Sequence, residues 1–385
     1  MTFAALALAF SPQAPAFDAN TAWESVSKAI STRYYAREAR GEEMAKRLKE
    51  TEPLARAAKS PTEFDQVIDS MIASFKDSHF AFLTRNEQGF YVFDSLVRGD
   101  KALKMPNIGA WFARSGESYT VTMVLDGGAA AEAGLRKGDL VTRIAGQLFE
   151  PVAPLAGLVG QEATLEWTRA GVPMSAQVKV TEQAGLDMFH EATRKSGRVV
   201  ERQGKKIGVM RPWTMVQERF KNTLHGFVYG QASATDAFVL DLRDGFGGRP
   251  EGYADPFFRP EAVLEWDMGT GGSMKQQFGY QRPLVVLTNG GTRSAREVLA
   301  LILKRSGRAT LVGTRTAGDV LGTSPIPIQD WAYLEIPMVD LKVDGERLER
   351  VGVAPMIEVQ DGYGPNGEDL VLEAGFNQAV KLAGR

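Results

Sequence analysis

The chain has no cysteine among its 385 residues. That excludes disulfides, a thiol nucleophile, zinc sites built on thiolates and a lipidated N-terminal cysteine. Histidine is almost as scarce: only His79, His190 and His225 are present, so chemistry that needs an imidazole has few possible sources. The formal net charge is −2, and no long run of lysine and arginine is interleaved with aromatics. The electrostatic footprint of a nucleic-acid binder is therefore missing. No apolar run is long enough to span a bilayer stably, and no repeat or low-complexity linker interrupts the chain. What remains is ordinary globular composition, 44% hydrophobic and 24% charged, with length for two or three domains.

Phe3 to Phe10 form a short apolar stretch followed by Ala14-Pro15-Ala16, the small-residue pattern of a signal-peptidase site. Residues 1–19 are read as a possible export-signal remnant, which would make the protein periplasmic or extracellular. A cytoplasmic chain with a plain tail is the alternative, because no lysine or arginine precedes the apolar part.

Residues 20–100 form the next region. Trp23, Val26, Ile30 and Tyr34, then Met44, Leu48 and Leu54, then Phe64, Val67, Ile68, Met71, Ile72 and Phe75 recur at helical spacing. Ser60-Pro61-Thr62-Glu63 opens the third helix with proline at its first position. The helices end at Asp77-Ser78-His79-Phe80, and Ala81 to Leu83 looks extended.

Residues 101–185 read as short strands around a turn-rich centre. Residues 186–385 alternate apolar, β-branched strands (Lys206 to Met210, Ala237 to Leu242, Leu284 to Leu287, Ala309 to Val312) with helices at Glu218 to Tyr229 and Ala295 to Arg305. This pattern predicts an α/β domain with a largely parallel sheet. A hairpin is expected over Trp331 to Val343 turning at Asp344-Gly345, then a final helix over Leu370 to Leu382.

The most informative local feature is Gly291-Thr292-Arg293-Ser294-Ala295-Arg296-Glu297, which joins a buried strand to a helix. A serine on such a turn is exposed, and the first N–H groups of the helix point at whatever reacts with it. Ser294 is thus a candidate nucleophile. Taken alone, a serine in this position usually serves as an N-cap, with Glu297 completing a capping box. A second signal is Asp241-Leu242-Arg243-Asp244-Gly245-Phe246-Gly247-Gly248, where a glycine pair at a strand end would let a substrate approach backbone N–H groups closely. Arg243 and Asp244 read as a structural charge pair, and Asp77 as a local cap or salt bridge.

The segment GAAAEAGLRKGDLVTRIAG, residues 128–146, resembles the signature of PDZ domains. In that family an extended peptide adds to an edge strand and loop amides take its carboxylate. Ile108, Gly109, Ala110 and Trp111 sit where that loop is expected.

Taken with Val312-Gly313-Thr314-Arg315-Thr316-Ala317-Gly318 and Glu349-Arg350-Val351-Gly352-Val353-Ala354-Pro355, the two turn segments resemble the serine peptidases that include the C-terminal processing (tail-specific) proteases and the tricorn core protease. The resemblance implies a crotonase/ClpP-like α/β spiral core with an N-terminal helical domain and an inserted PDZ-like β domain. Ser294 would be the nucleophile, and the N–H of Ala295 with one from Gly247-Gly248 the oxyanion hole. The tail-specific branch places a lysine base in a TxGKG segment, where this chain has Asp319. An ordinary aspartate is a weaker base than histidine by roughly 3.5 kcal/mol. The tricorn branch instead uses a histidine preceded by a serine, with a late glutamate. Ser78-His79 and Glu349 match those positions, although Glu346 lies close to Glu349. His190 and His225, outside any motif, read as structural. The implied activity is endopeptidase action on extended or unfolded polypeptide, with no metal or cofactor. A catalytically inactive protein that binds peptides or apolar ligands on the same fold is the competing expectation.

Overall fold

The computed structural model describes residues 17–258, 263–269, 271–276 and 279–384. Residues 1–16 of the expected export segment lie outside them. The chain forms two compact units, one of residues up to 85 together with 324–338, the other of residues 86–323 and 339–385.

In the first unit, helices Ala19–Arg33, Gly41–Ala57 and Pro61–Phe75 follow the apolar spacing seen in the sequence. Ser60 caps the third, accepting the Glu63 N–H at 3.2 Å. Trp23, Val26, Ile30, Phe64, Ile68 and Ile72 bury one face of these helices against Phe82, Leu334 and Ile336. The strand Ala81–Thr84 pairs antiparallel with Ala332–Val339, Phe82 opposite Leu334.

That pairing revises the expected hairpin. Ala332–Val339 lies between Ala81–Thr84 and Gly322–Ile328, and only a short ribbon, Lys342–Val343 with Glu346–Arg347, turns at Asp344-Gly345. Pairing with two other strands buries Leu334 and Ile336, which a lone hairpin would leave wet.

In the second unit, a β-rich lobe begins and ends on one antiparallel pair, Lys104–Asn107 with Thr181–Ala184, so the chain leaves and returns at adjacent points. Its sheet runs Ala110–Ser115, Ser118–Val124, Leu140–Ile144, Glu162–Arg169, Val172–Lys179, with Ala110–Ser115 at one edge. Ile108, Val121, Leu135, Val141, Ile144 and Leu165 fill its core.

The remainder of this unit is built on a sheet in the order Arg198–Arg202, Lys205–Met210, Ala237–Asp241, Leu284–Thr288, Ala309–Gly313, Ile357–Glu358. The first pair is antiparallel and every later pair parallel. The central strands are buried throughout and apolar up to the closing Asp241 and Thr288, as burial on both faces requires. The helix Leu370–Ala383 covers one face through Val371, Phe376 and Ala379.

Because neighbouring strands are parallel, their carboxyl ends share one edge, where open α/β sheets place their ligands. Ala237–Asp241 leads to Gly247-Gly248, Leu284–Thr288 to Ser294, and Ala309–Gly313 to Asp319. Topology alone therefore gathers three turns that are far apart in sequence.

Candidate active site

Ser294 has φ 59° and ψ −134°, a backbone region that residues with a side chain avoid at a cost of about 1–3 kcal/mol. The turn is held there by its neighbours. The Ser294 N–H donates to the Asp319 carbonyl at 2.7 Å and to Glu297 Oε2 at 3.1 Å. Ser294 and Glu297 do form the capping box that the sequence allows. Yet the Glu297 N–H is also held by the Ser294 carbonyl at 2.8 Å, so the cap does not depend on the hydroxyl.

Gly247 fits against this serine: a Cβ on it would overlap Ser294 Cβ and Oγ and lie 3.0 Å from the Ala295 nitrogen. The Gly247 carbonyl accepts the Met215 N–H at 2.8 Å and the Thr214 hydroxyl at 3.1 Å. In a planar trans peptide the N–H of Gly248 then points the opposite way, off the Met215 strand. Gly248 itself has φ 135°, and a side chain there would collide with the Met215 backbone. No described residue accepts the N–H of Gly248 or of Ala295. These two donors therefore remain available beside a strained serine.

Glu297, seen in the sequence only as half of a cap, proves to be the hub of the site. Fully buried, it also accepts the Thr316 hydroxyl at 2.5 Å, the Gly318 N–H at 2.7 Å and the Asp319 N–H at 2.9 Å. Burial pushes its carboxyl upward although these donors pull the other way. On the far side of the same loop, Gly318 accepts the Arg350 N–H at 2.7 Å, and Glu349 Oε2 accepts the Val320 N–H at 2.8 Å. The loop 316–320 thus links the Ser294 turn to buried Glu349. Asp319 takes part through its backbone.

Beneath the turns, Asp241 is clamped by Arg243 at 2.8 Å and Arg211 at 3.0 Å. Burial works against its charge, but the two guanidiniums hold its carboxyl well below the usual range. Arg243 also meets Asp369 at 2.7 Å, and Asp244 meets Lys137 at 2.7 Å. Both are paired, as expected of structural charges.

His79 and Ser78 belong to the first unit. His79 has φ 55°, and Ser78 Oγ stands 3.1 Å from its Nδ1. Asp77 pairs with Arg40 at 2.8 Å and accepts the Tyr35 hydroxyl at 3.1 Å. The other histidines have structural partners in the second unit. His190 Nε2 meets Thr223 Oγ1 and His225 Nε2 meets the Gly252 carbonyl, both at 2.9 Å.

In the β-rich lobe, the expected carboxylate loop is partly spent on itself. The Gly109 N–H donates to Asn107 Oδ1 at 3.1 Å, and the carbonyls of Ile108 and Gly109 accept from Ala130 and Leu125 at 2.8 and 2.9 Å. Trp111 packs edge-on against Phe246 at 5.3 Å, next to Gly247. Gln88, missed in the sequence, spreads its side-chain amide along the edge strand. It donates to the Ala110 carbonyl at 2.9 Å and accepts the Phe112 N–H at 3.0 Å. Among the described residues no group of three or more His, Asp or Glu could hold a metal ion, and no helix is long and apolar enough to cross a membrane.

Residues 206–359, which carry all three turns, match the model of peptidase family S41. The chain is similar, more particularly, to carboxyl-terminal-processing proteases. It is 27% identical over 245 residues to that of Synechocystis sp., covering 60% of this chain and 56% of the relative. With the carboxy-terminal processing protease CtpA of Bacillus subtilis it shares 22% over 311 residues, 77% of this chain and 64% of the relative. It thus spans rather more than half the length of these relatives. Its mixed α/β fold resembles that of the photosystem II D1 C-terminal processing protease, with TM-score 0.56, 20% identity and coverage of 90% and 94% of the two chains. The tricorn protease matches with TM-score 0.56 at 17% identity, over 96% of this chain and 37% of that one.

Proposed function

We propose that the protein is a serine endopeptidase that hydrolyses peptide bonds in extended or unfolded polypeptides. The observation that carries this reading is the strained conformation of Ser294, closed on by a glycine that leaves it room, with the N–H groups of Ala295 and Gly248 unspent beside it. A serine that only capped a helix would have no use for that strain.

In this reading Ser294 Oγ attacks the scissile carbonyl, and its proton passes to His79, which returns it to the leaving amine. The carbonyl oxygen, negative in the tetrahedral intermediate, is met by the N–H groups of Ala295 and the Gly247-Gly248 turn. Glu349, acting with Ser78, orients the imidazole and stabilises its charged form. The hydrogen bond between Ser78 and His79 Nδ1 supports a role for Ser78 in orienting the ring.

The core is read as a crotonase/ClpP-like spiral and the lobe of residues 101–185 as an inserted PDZ-like domain that presents substrate ends. The edge position of Ala110–Ser115 and the contact of Trp111 with Phe246 support the latter. Residues 20–100 form the helical domain and 186–385 the peptidase core. We place the protein outside the cytoplasm, in line with the small-residue pattern at Ala14-Pro15-Ala16.

Casein digestion by wild type, Ser294→Ala and His79→Ala tests the proposal. Wild type should digest casein and neither variant should. Full activity in Ser294→Ala would sink the assignment.

A further inference from the structure

Arg296 is the second residue of the helix Ala295–Arg305 and is completely buried. A guanidinium taken out of water ordinarily finds a carboxylate, because desolvating a charge is otherwise expensive. This one is held by backbone carbonyls instead. Nε donates to Leu242 at 3.1 Å and Nη1 to Trp213 at 3.0 Å. Nη2 lies 3.4 Å from the carbonyls of both Asp241 and Arg243. Burial draws its pKa down to about 10, so it keeps its charge at neutral pH.

The carbonyls it reaches also serve both halves of the site. Leu242 O accepts the Thr292 hydroxyl at 2.9 Å, two residues before Ser294. Trp213 O accepts the Phe246 N–H at 3.0 Å, one residue before Gly247. Arg296 therefore braces the nucleophile turn and the glycine turn through the same two oxygens. Gly245, with φ 79°, has no space for a side chain, and a Cβ there would overlap Arg296 Nη1 and the Trp213 carbonyl. Nothing in the apolar spacing of the helix calls for a charge at this position: Val298, Leu299, Leu301 and Leu303 bury ordinary hydrophobes.

We propose that Arg296 is a positioning residue of the hydrolytic site, its planar fork fixing the spacing between Ser294 and the N–H groups of the Gly247-Gly248 turn. The inference rests on the serine-peptidase reading above. Its content is geometric. Five donors in one plane can bridge two strand ends and a helix at once, whereas a lysine brings the same charge to a single point.

The test compares wild type with Arg296→Lys, Arg296→Met and Gly245→Ala on a fluorogenic casein-derived peptide, with the folded fraction measured by circular dichroism. Expected is a fall in kcat per folded molecule of roughly 100- to 1,000-fold in both arginine variants, the loss typical of a displaced oxyanion donor, with KM nearly unchanged. Gly245→Ala, which keeps Arg296 but crowds its Nη1, should lower kcat in the same way. Wild-type kcat per folded molecule in Arg296→Met, or full rescue by lysine, would overturn the inference, the second by showing that charge alone suffices. A wild type that neither cleaves the peptide nor reacts with a fluorophosphonate at Ser294 would instead overturn the peptidase reading, and this inference with it.

Discussion

The carbonyl oxygen of Asp319 accepts the backbone N–H of Ser294 at 2.7 Å. What the loop offers Ser294 is thus a main-chain carbonyl, which any residue at 319 supplies. If Asp319 were the base, its loss would lower kcat by roughly 100- to 10,000-fold. Asp319→Ala is instead expected to keep kcat within the wild-type order of magnitude, and Asp319→Lys to leave a His79→Ala variant inactive. Steady-state kinetics on the peptide used above decide both.

Ser294→Gly removes the hydroxyl and also the Cβ that makes φ 59° unfavourable. It should abolish hydrolysis while raising stability by about 1 kcal/mol or more over Ser294→Ala. Equal melting temperatures for the two variants would show that the turn stores no strain.

Gly247→Ala places a methyl group against Ser294 Cβ and Oγ. Displacing a nucleophile by about 1 Å can lower the rate on the order of 100-fold. A loss of at least that size is expected, together with slowed fluorophosphonate labelling of Ser294. Unimpaired labelling would mean that the glycine turn does not face the serine hydroxyl in solution.

Asp241→Asn takes the carboxylate partner from Arg211 and leaves Arg243 paired with Asp369, and should destabilise the fold by about 3–5 kcal/mol. The folded pKa of Asp241 lies below its unfolded value, so its contribution is complete above about pH 4 and is lost as pH falls below that. Urea titrations at pH 7 and pH 3 should show the gap between wild type and variant narrowing in acid. A gap independent of pH would remove the charge explanation.

Gln88 occupies the Ala110 carbonyl and the Phe112 N–H, backbone groups that an added strand would need. Each displaced hydrogen bond is worth about 0.5–1.5 kcal/mol, so Gln88→Ala should tighten binding of a fluorescein-labelled decapeptide with an apolar C-terminus by on the order of tenfold. Hydrogen exchange at the Phe112 amide should be slow in wild type and fast in the peptide-free variant. Unchanged affinity would place the peptide elsewhere.

Much of this architecture could be read from residue order. The strands Ala237–Asp241 and Leu284–Thr288 are apolar up to their last residue, and Ser60-Pro61 marks a helix start that the structure keeps within a residue. The turns at Ser294 and Gly247-Gly248 carry weight only in combination, because a serine before a helix also serves as a cap and a glycine pair suits any tight turn. What stayed hidden depends on partners distant in sequence. Glu297 looks like any capping glutamate until the loop 316–320 closes on it. Gln88 has no motif, because its partners are backbone groups and a backbone carries no sequence signature. Arg296 leaves a faint signal, a second charge beside Glu297 on a helix whose later inward positions are apolar, and its acceptors are likewise main-chain oxygens. The pairing of Ala332–Val339 is hidden in the sequence because Asp344-Gly345 is a strong local turn signal, while the partner strand Ala81–Thr84 lies some 250 residues earlier.

The three turns stand on consecutive parallel strands, and strand spacing, about 4.8 Å, separates one turn from the next. The sheet thus works as a rack with fixed slots, indifferent to what each slot carries. One turn can be rewritten without disturbing its neighbours, provided that its backbone still meets them. A chain of this design can change the side chain in the third slot, where Asp319 takes part through its backbone, while the serine and the glycines keep their stations. Side chains at the turns can then vary during evolution even as the frame that holds them stays the same.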